Sequence, residues 1–529
     1  MRALGIFLPP LAVVARAAFD KDDTVMRLEP ASVWKHFNAL CNINRCSGHE
    51  AQVADYVRKV ADAEGVEWLS DSVGNLVVRR PGSGGGAAAD PIIVQTQMDM
   101  ACDGAEEAEG LTRGLQPLEL KLREDGWAVA EKSRMGADSG VGIAVALALL
   151  DEPPEAFLPP LELLFTVQGQ SDRLGAHSLN TSMLAGRHLI NLDAAEHGVL
   201  FAGSAGHSRV KIRLPVSHVG LRAESHNFAL TLRGLRGGHS GDEVYLGSAN
   251  ALVGIARAVA SLRAELPGLQ LIGIEGGTVD NAIPEEAVAI LAMPLSALHH
   301  AREVVLEIEA GLRAEHRRTD PHLHLRLEQP EHAVDYALSE ESAERLLDLI
   351  LLLPNGVVRQ SAEIPGSIET SHNIARVLAA DAGHFEVLCL ARSAMPSMLA
   401  DLRMRIARVS QRVVATAMAG SSYPSWAPNR SSALLSIAQE AFRRVEGRAA
   451  TLAMVHDDLE VAAILERMPD LDAVAFGPDV QGSSSPGECV KIDSVEKTWA
   501  LTRRVLARLA AAEAPDGAGA SAGEQPEEL

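Results

Sequence analysis

The amino-acid sequence predicts an α/β domain interrupted by a smaller α+β domain. Three observations carry that prediction. Over residues 31–193, short apolar strand patterns alternate with helical spacing, as in a sheet covered on both faces. From residue 206 the order becomes β-α-β-β-α-β, the split ferredoxin-like unit. After residue 421 the first pattern resumes, so the middle is an insertion. A chain of 529 residues is also too long for one ordinary core.

Taken in order, helical spacing covers 31–40 and 50–64. Short strands follow at 66–69 and 75–79, around the turn Ser72-Val73-Gly74, and a Gly/Ala-rich loop spans 81–90. Ile92-Ile93-Val94 is a buried strand running into Gln95-Thr96-Gln97-Met98-Asp99. A charged excursion occupies 106–131. A glycine-rich turn at 135–142 opens an apolar helix at 143–150. Strands at 161–167 and 188–192 run into the polar groups 168–172 and Asp193. In the insertion, strands are expected at 228–235, 269–275, 287–293 and 322–327, with helices at 248–263 and 295–313. A helix at 339–353, a strand at 385–390 and a long helix at 397–418 complete it. Helices at 434–444 and 495–512 flank a Gly/Ser/Pro loop at 482–487. The split domain is thus 27–206 plus 421–512, with 207–420 inserted. Residues 513–529 lack apolar spacing and are expected to be a disordered tail. Residues 1–17 outline a short secretory signal, but Pro9-Pro10 interrupts it, so 1–25 is expected to be an unstructured extension or the product of an upstream start codon, with secretion the alternative.

A net charge of -22 argues against nucleic acid, whose phosphates need a basic surface. No other apolar run is long enough to span a bilayer. Five cysteines (Cys41, Cys46, Cys102, Cys389, Cys489) show no CxxC, hence neither a disulfide framework nor a thiolate zinc site, and favour the cytoplasm.

Three polar clusters, at 97–99, 168–172 and 193, fall just past strand ends, where open α/β sheets place their sites. Asp138 sits in Met135-Gly136-Ala137-Asp138-Ser139-Gly140-Val141-Gly142. A carboxylate on a tight turn before a buried helix suits a metal ligand. It suits a helix N-cap equally.

Together these motifs resemble the aminoacyl-histidine dipeptidases, also called Xaa-His or cytosol non-specific dipeptidases. The resemblance rests on Val73-Gly74-Asn75-Leu76, the 135–142 turn, Asn191-Leu192-Asp193, GLRGGHSG at 234–241 and GGTVDNAIP at 276–284. LPNGVVR at 353–359, 368–371 and 423–426 add to it. It spans about 26–512 and implies a zinc exopeptidase-like domain with an inserted lid or dimerisation domain. Such enzymes hold two zinc ions about 3.5–4 Å apart around one bridging carboxylate.

The same resemblance implies loss of that centre. The bridging Asp138 and the ligand Asp193 remain, with Asp99 behind them. The family's early His is Gln97, its general base is Gly169, the adjoining Glu is Gln170, and its final His is Ser484. An amide and a hydroxyl are weak ligands, and glycine carries no base, so no stably bound cofactor is expected. Asp172, Glu196, His177 and His207 are candidate substitutes, and Arg173 is the expected cation for the remaining aspartates. One weakly held Mg²⁺ or Ca²⁺ is the alternative. His239 matches the family's histidine that reaches across the dimer to the oxyanion. Asn281, Arg359, His456 and Glu460, with the 482–487 loop around Ser484, match peptide-binding positions. The expectation is a homodimer that binds small peptides without efficient hydrolysis. The alternatives are an active dipeptidase with rearranged ligands and a structural partner of an active paralogue.

Overall fold

The computed structural model describes residues 25–102, 120–130, 134–171, 173–330, 332–483 and 487–512. Ser484, Asp172, the segment 1–24 and the tail 513–529 lie outside the described residues.

An eight-stranded sheet forms the first layer. Its spatial order is Glu67–Ser70, Leu76–Arg80, Leu161–Thr166, Ile92–Gln97, His188–Asn191, Asp472–Ala475, Val199–Ser204, Thr451–Val455. The central strands are parallel: Ile92–Gln97 pairs in register with both Leu161–Thr166 and His188–Asn191. Every residue of Ile92–Gln97 and Leu161–Thr166 is buried, so the apolar stretches Ile92-Ile93-Val94 and Leu163-Leu164-Phe165 do not alternate with exposed polar positions. Helix Ala137–Ala148 packs on this sheet with Ala31–Leu40 beside it. Trp34 and Phe37 lock edge to face within the joint core.

The inserted domain has a nine-stranded sheet. One end runs His324–Glu328, Ser225–Arg233, Ala287–Pro294, Gln270–Gly276. That is the 4-1-3-2 order of a split β-α-β-β-α-β unit, with Ala251–Glu265 and Leu298–Glu315 as its helices. The sheet continues through Ile368–Asp381, His384–Ser393, Gly206–Pro215 and Thr416–Tyr423. Alternate residues of Gly206–Pro215 are buried, and its apolar side joins a second core of its own.

Three expectations fail. The long helix at 397–418 is Pro396–Arg412. Val414 takes a positive φ of 60°, and Thr416–Tyr423 pairs antiparallel with Gly206–Pro215. The charged excursion contains two strands, Leu120–Leu122 and Trp127–Ala130, which join Cys489–Lys491 in a small sheet. The cysteines are not all free: Cys46 and Cys102 form a disulfide. A bridge between Cys46 and Met100 closes the 56-residue separation, a contact that spacing alone does not reveal. Cys41, Cys389 and Cys489 are free and buried.

Candidate functional site

The parallel strands end together, and their polar residues meet there. Gln95, on the central strand, donates to Glu460 Oε2 at 2.8 Å and accepts from Asn191 at 2.6 Å. Asn191 donates in turn to Asp193 Oδ2 at 3.0 Å, and the Gln97 N–H donates to the same atom at 3.1 Å. Thr96 and Thr166 cap Asp193 and Glu460 through their hydroxyls. Asp99 accepts the N–H groups of Gly169 and Gln170 at 2.7 and 2.9 Å and the Ser47 hydroxyl at 2.6 Å.

The Asp138 turn closes this cluster. Gly136 has a φ of 66°, a region that glycine adopts readily. A Cβ there would also come within 2.9 Å of Met100 Sδ and 3.0 Å of the Arg45 guanidinium carbon. Asp138 is half-buried and, among the described residues, its carboxylate accepts one long bond, 3.3 Å, from Gln170 Nε2. Glu488 binds the turn from below, accepting the N–H of Gly136 at 2.8 Å and of Asp138 at 3.1 Å.

Five carboxylates therefore share one neighbourhood. Burial pushes the Asp138 carboxyl up to about 6, reinforced by Glu488 and Asp99, while Gln170 and Arg45 oppose. Asp193 lies well above the usual carboxylate range because of burial, then Glu460 and Asp138. Burial drives Glu460 up to about 7, against its bonds to Thr166 and Gln95.

Arg173 is not paired with Asp99, Asp138 or Asp193, contrary to the sequence reading, and of the five carboxylates its charge bears on Glu460. It pairs with Asp458 at 3.4 Å and lies over the Tyr423 ring at 5.3 Å. A carboxylate and an aromatic face draw it away. Arg45 stands nearer the aspartates, but its Nη atoms donate to the carbonyls of Met98, Asp99 and Gly136 and to Ser139. His207 also binds Asp458, at 2.7 Å, and His177 packs edge-on against Tyr423, so neither stands among the aspartates' hydrogen-bond partners. Glu196 is exposed.

Gln97 and Gly169 are packed as a pair. A Cβ built on Gly169 would fall against Gln97 Oε1, 2.7 Å from its Cβ and 2.8 Å from its Cδ. The Gln97 side chain occupies the volume that any side chain at 169 would need.

The inserted domain supplies His239, Asn281 and Arg359, and the split domain supplies His456 and Glu460. His239 and Asn281 line one cavity of about 470 Å³, and the Asn281 carbonyl accepts from Ser240 at 2.7 Å. Arg359 pairs with Glu369 at 3.4 Å. His456 is buried, bonded to Ser371 Oγ at 2.7 Å, and burial lowers it to about 4, with Arg392 adding to the effect. Glu460 is buried, 4% exposed. His239, Asp242 and Asp457 are the one group among the described residues with metal-like spacing. The His239 Nδ1 lone pair is taken by the N–H of Asp242 at 3.1 Å and of Gly241 at 3.3 Å. That places the proton on Nε2, so the ring tip is a donor and not a ligand.

Sequence reading missed Glu488 and Arg45, and it took Asp457 and Asp458 only as part of the polar cluster 455–460, with no role of their own. Glu488 lies four residues beyond Ser484 in the same loop, and that proximity was the available signal.

A split α/β domain with a site at its parallel strand ends and an inserted ferredoxin-like domain defines the M20 class of peptidase folds. Residues 228–320 match the peptidase dimerisation domain model. The chain is 31% identical over 486 residues to the cytosol non-specific dipeptidase of Escherichia coli, covering 92% of this chain and 99% of that one. The chain belongs to this dipeptidase family. The crystal structure of aminoacylhistidine dipeptidase from Vibrio alginolyticus matches with a TM-score of 0.83 and 28% identity, over 92% of this chain and 98% of the other. A Staphylococcus aureus tripeptidase shares the fold, with a TM-score of 0.55 at 14% identity over 92% and 99%. Among the described residues no helix is long and apolar enough to cross a membrane.

Proposed function

We propose that this dipeptidase homologue has lost the two-zinc centre and its general base, and binds small peptides as a cytoplasmic homodimer without efficient hydrolysis. The observation that carries the reading is the packing of Gln97 into the space beside Gly169. A carboxylate base at 169 has no side chain to reside on, and one placed there would have to displace the Gln97 side chain. The donor set does not fit the ions either. Zinc takes imidazole, thiolate or carboxylate, and the positions that the resemblance assigns to imidazole and glutamate carry amides and a hydroxyl. Loss of a positioned base alone costs about 10²–10⁴ in rate.

The binding elements support the other half of the proposal. His239 presents an Nε2–H donor, the form that stabilises a carbonyl oxygen. It shares a cavity with Asn281. Ser484 and Arg359 complete the proposed contacts to the peptide's carboxyl end, Asp138 and Asp193 being the remnant ligands.

Elemental analysis of the purified protein and turnover of Ala-His, with and without EDTA, decide the matter. Substoichiometric zinc and turnover at least 10⁴-fold below the E. coli relative assayed alongside, roughly the upper cost of a lost base, support the proposal. Stoichiometric zinc with EDTA-sensitive cleavage overturns it in favour of rearranged ligands.

A further inference from the structure

We propose that the Cys46–Cys102 disulfide is a reversible redox latch, and that its reduction by a dithiol loosens the loop that holds Asp99 and the Asp138 turn. The proposal goes beyond peptide binding and takes from the proposed function only the cytoplasmic location. In that compartment structural disulfides are rare, and those that form are usually transient and redox-sensing.

The disulfide joins two loops. One follows helix Ala31–Leu40, and the other follows strand Ile92–Gln97. Beside it the Met100 N–H donates to the Arg45 carbonyl at 2.9 Å. The residues flanking Cys46 reach into the site. Arg45, 1% exposed, donates from Nη1 to the carbonyls of Met98 and Asp99 at 3.2 and 3.3 Å and to Ser139 Oγ at 3.0 Å. Its Nη2 donates to the Gly136 carbonyl. The Ser47 hydroxyl donates to Asp99 Oδ2 at 2.6 Å. Glu50 Oε1 accepts the N–H groups of Gly48 at 3.0 Å and Gln168 at 2.9 Å. One short segment thus ties together the central strand end, the Asp138 turn and the loop at 168–170, and the disulfide is the covalent bond that pins it. Asp99 in turn accepts the N–H groups of Gly169 and Gln170, so protection of those two amides reports how firmly Asp99 is held.

The two sulfurs differ in access. Cys46 is 2% exposed, whereas Cys102 is partly exposed. A thiolate of the dithiol attacks Cys102 Sγ, the S–S bond breaks, and Cys46 leaves as a thiolate that takes up a proton. The second thiolate of the dithiol then attacks the mixed disulfide and releases Cys102, which is protonated in turn. The dithiol ends as a cyclic disulfide and the protein gains two thiols. Cys41, Cys389 and Cys489 are free and buried and serve as internal controls.

The test is reduction of the folded full chain with dithiothreitol, read by maleimide labelling with peptide mass mapping and by hydrogen–deuterium exchange. Label is expected on Cys46 and Cys102 without denaturant. Exchange at the Gly169 and Gln170 amides is expected to become about tenfold faster, the worth of one weakened hydrogen bond to a charged group. Reoxidation with oxidised glutathione restores the protection, and Cys46→Ser reproduces the reduced state. The amides of Leu230 and Val387, in the core of the insertion, keep their rates. Label that enters the pair only after denaturation makes the bond a permanent structural link and overturns the latch. Labelling with unchanged exchange at 169 and 170 overturns it too. So does equal acceleration at Leu230 and Val387, which is general destabilisation. Neither readout uses a peptide or zinc, so these outcomes leave the proposed function standing, and failure of the dipeptide assays leaves the latch standing.

Discussion

Two carboxylate clusters lie within this cleft, and they are stabilised in opposite ways. At the strand ends, Asp138, Asp193 and Glu460 are held by amides, hydroxyls and backbone N–H groups, and burial raises their pKa values. Between the domains, Asp457 and Asp458 each meet cations. Arg392 bonds Asp457 and lies 3.7 Å from Asp458, while Arg173 and His207 hold the other face of Asp458. Burial works against ionisation of Asp457 too, yet Arg392, with Arg173 adding to it, holds it below its ordinary value. The first cluster is stabilised by taking up protons, the second by positive charge brought in from both domains, Arg392 from the insertion and Arg173 from the split domain. Neutralising one charge should therefore have opposite signs in the two places.

The largest effect is expected at Arg392. It is 4% exposed, and Arg392→Ala leaves two aspartates facing each other without it. Breaking a buried pair costs about 3–5 kcal/mol, read as a lower midpoint in thermal or denaturant unfolding. If this substitution is neutral, the interdomain cluster is not held by its cations and the contrast is broken.

At Glu460 the sign reverses. Its folded pKa of about 7 exceeds the unfolded carboxylate value, so the stabilisation is complete below the unfolded pKa and is lost as pH rises through 7. Glu460→Gln keeps an acceptor for Gln95 and Thr166 and removes that loss. A gain of about 3 kcal/mol at pH 8, fading toward pH 5, is expected from the size of the shift. The buried histidines run the other way. His372 and His456 sit near 4, so their contribution is present above about 6.5 and lost as pH falls toward 4. A pH series on wild type and variant separates the two. Destabilisation by Glu460→Gln at pH 8 would show that this carboxylate is stabilised as an anion.

Much of the fold was legible because its strands are buried on both faces and announce themselves as Ile92-Ile93-Val94 or Leu161–Thr166. The turn at Asp138 was legible for its glycines. What escaped was long-range. Arg173 meets a residue 285 positions away, and nothing in its local sequence separates that partner from the nearer aspartates. The disulfide likewise depends on a bridge between Cys46 and Met100. Leu120–Leu122 and Trp127–Ala130 were hidden because they are short and partly exposed, with charged neighbours masking the alternation. Glu460 was recognised as a site position, but its depth was not. Burial of a charged group depends on partners such as Gln95 that only the sheet brings near.

The smallest expected effect sharpens the account of the strand-end cluster itself. If Gln97 fills the volume beside Gly169, the two positions cannot be changed independently. Gly169→Glu alone must displace the Gln97 side chain and is expected to cost about 1–3 kcal/mol, as overpacking does. It also adds a carboxylate where several already compete. Gln97→Ala removes the Oε1 and Cδ contacts and leaves only the Cβ contact at 2.7 Å, so Gly169→Glu should cost less on that background. Denaturant unfolding of the four proteins in this cycle gives the coupling directly, with about 0.5–3 kcal/mol expected for residues in contact. The charge term would persist in both backgrounds and cancels from the cycle, which leaves the steric part alone. A coupling near zero would mean that glycine at 169 reflects the loss of a base and nothing more. A substantial coupling would mean that the amide has been built into the packing, so that reinstating the catalytic carboxylate requires moving Gln97 first.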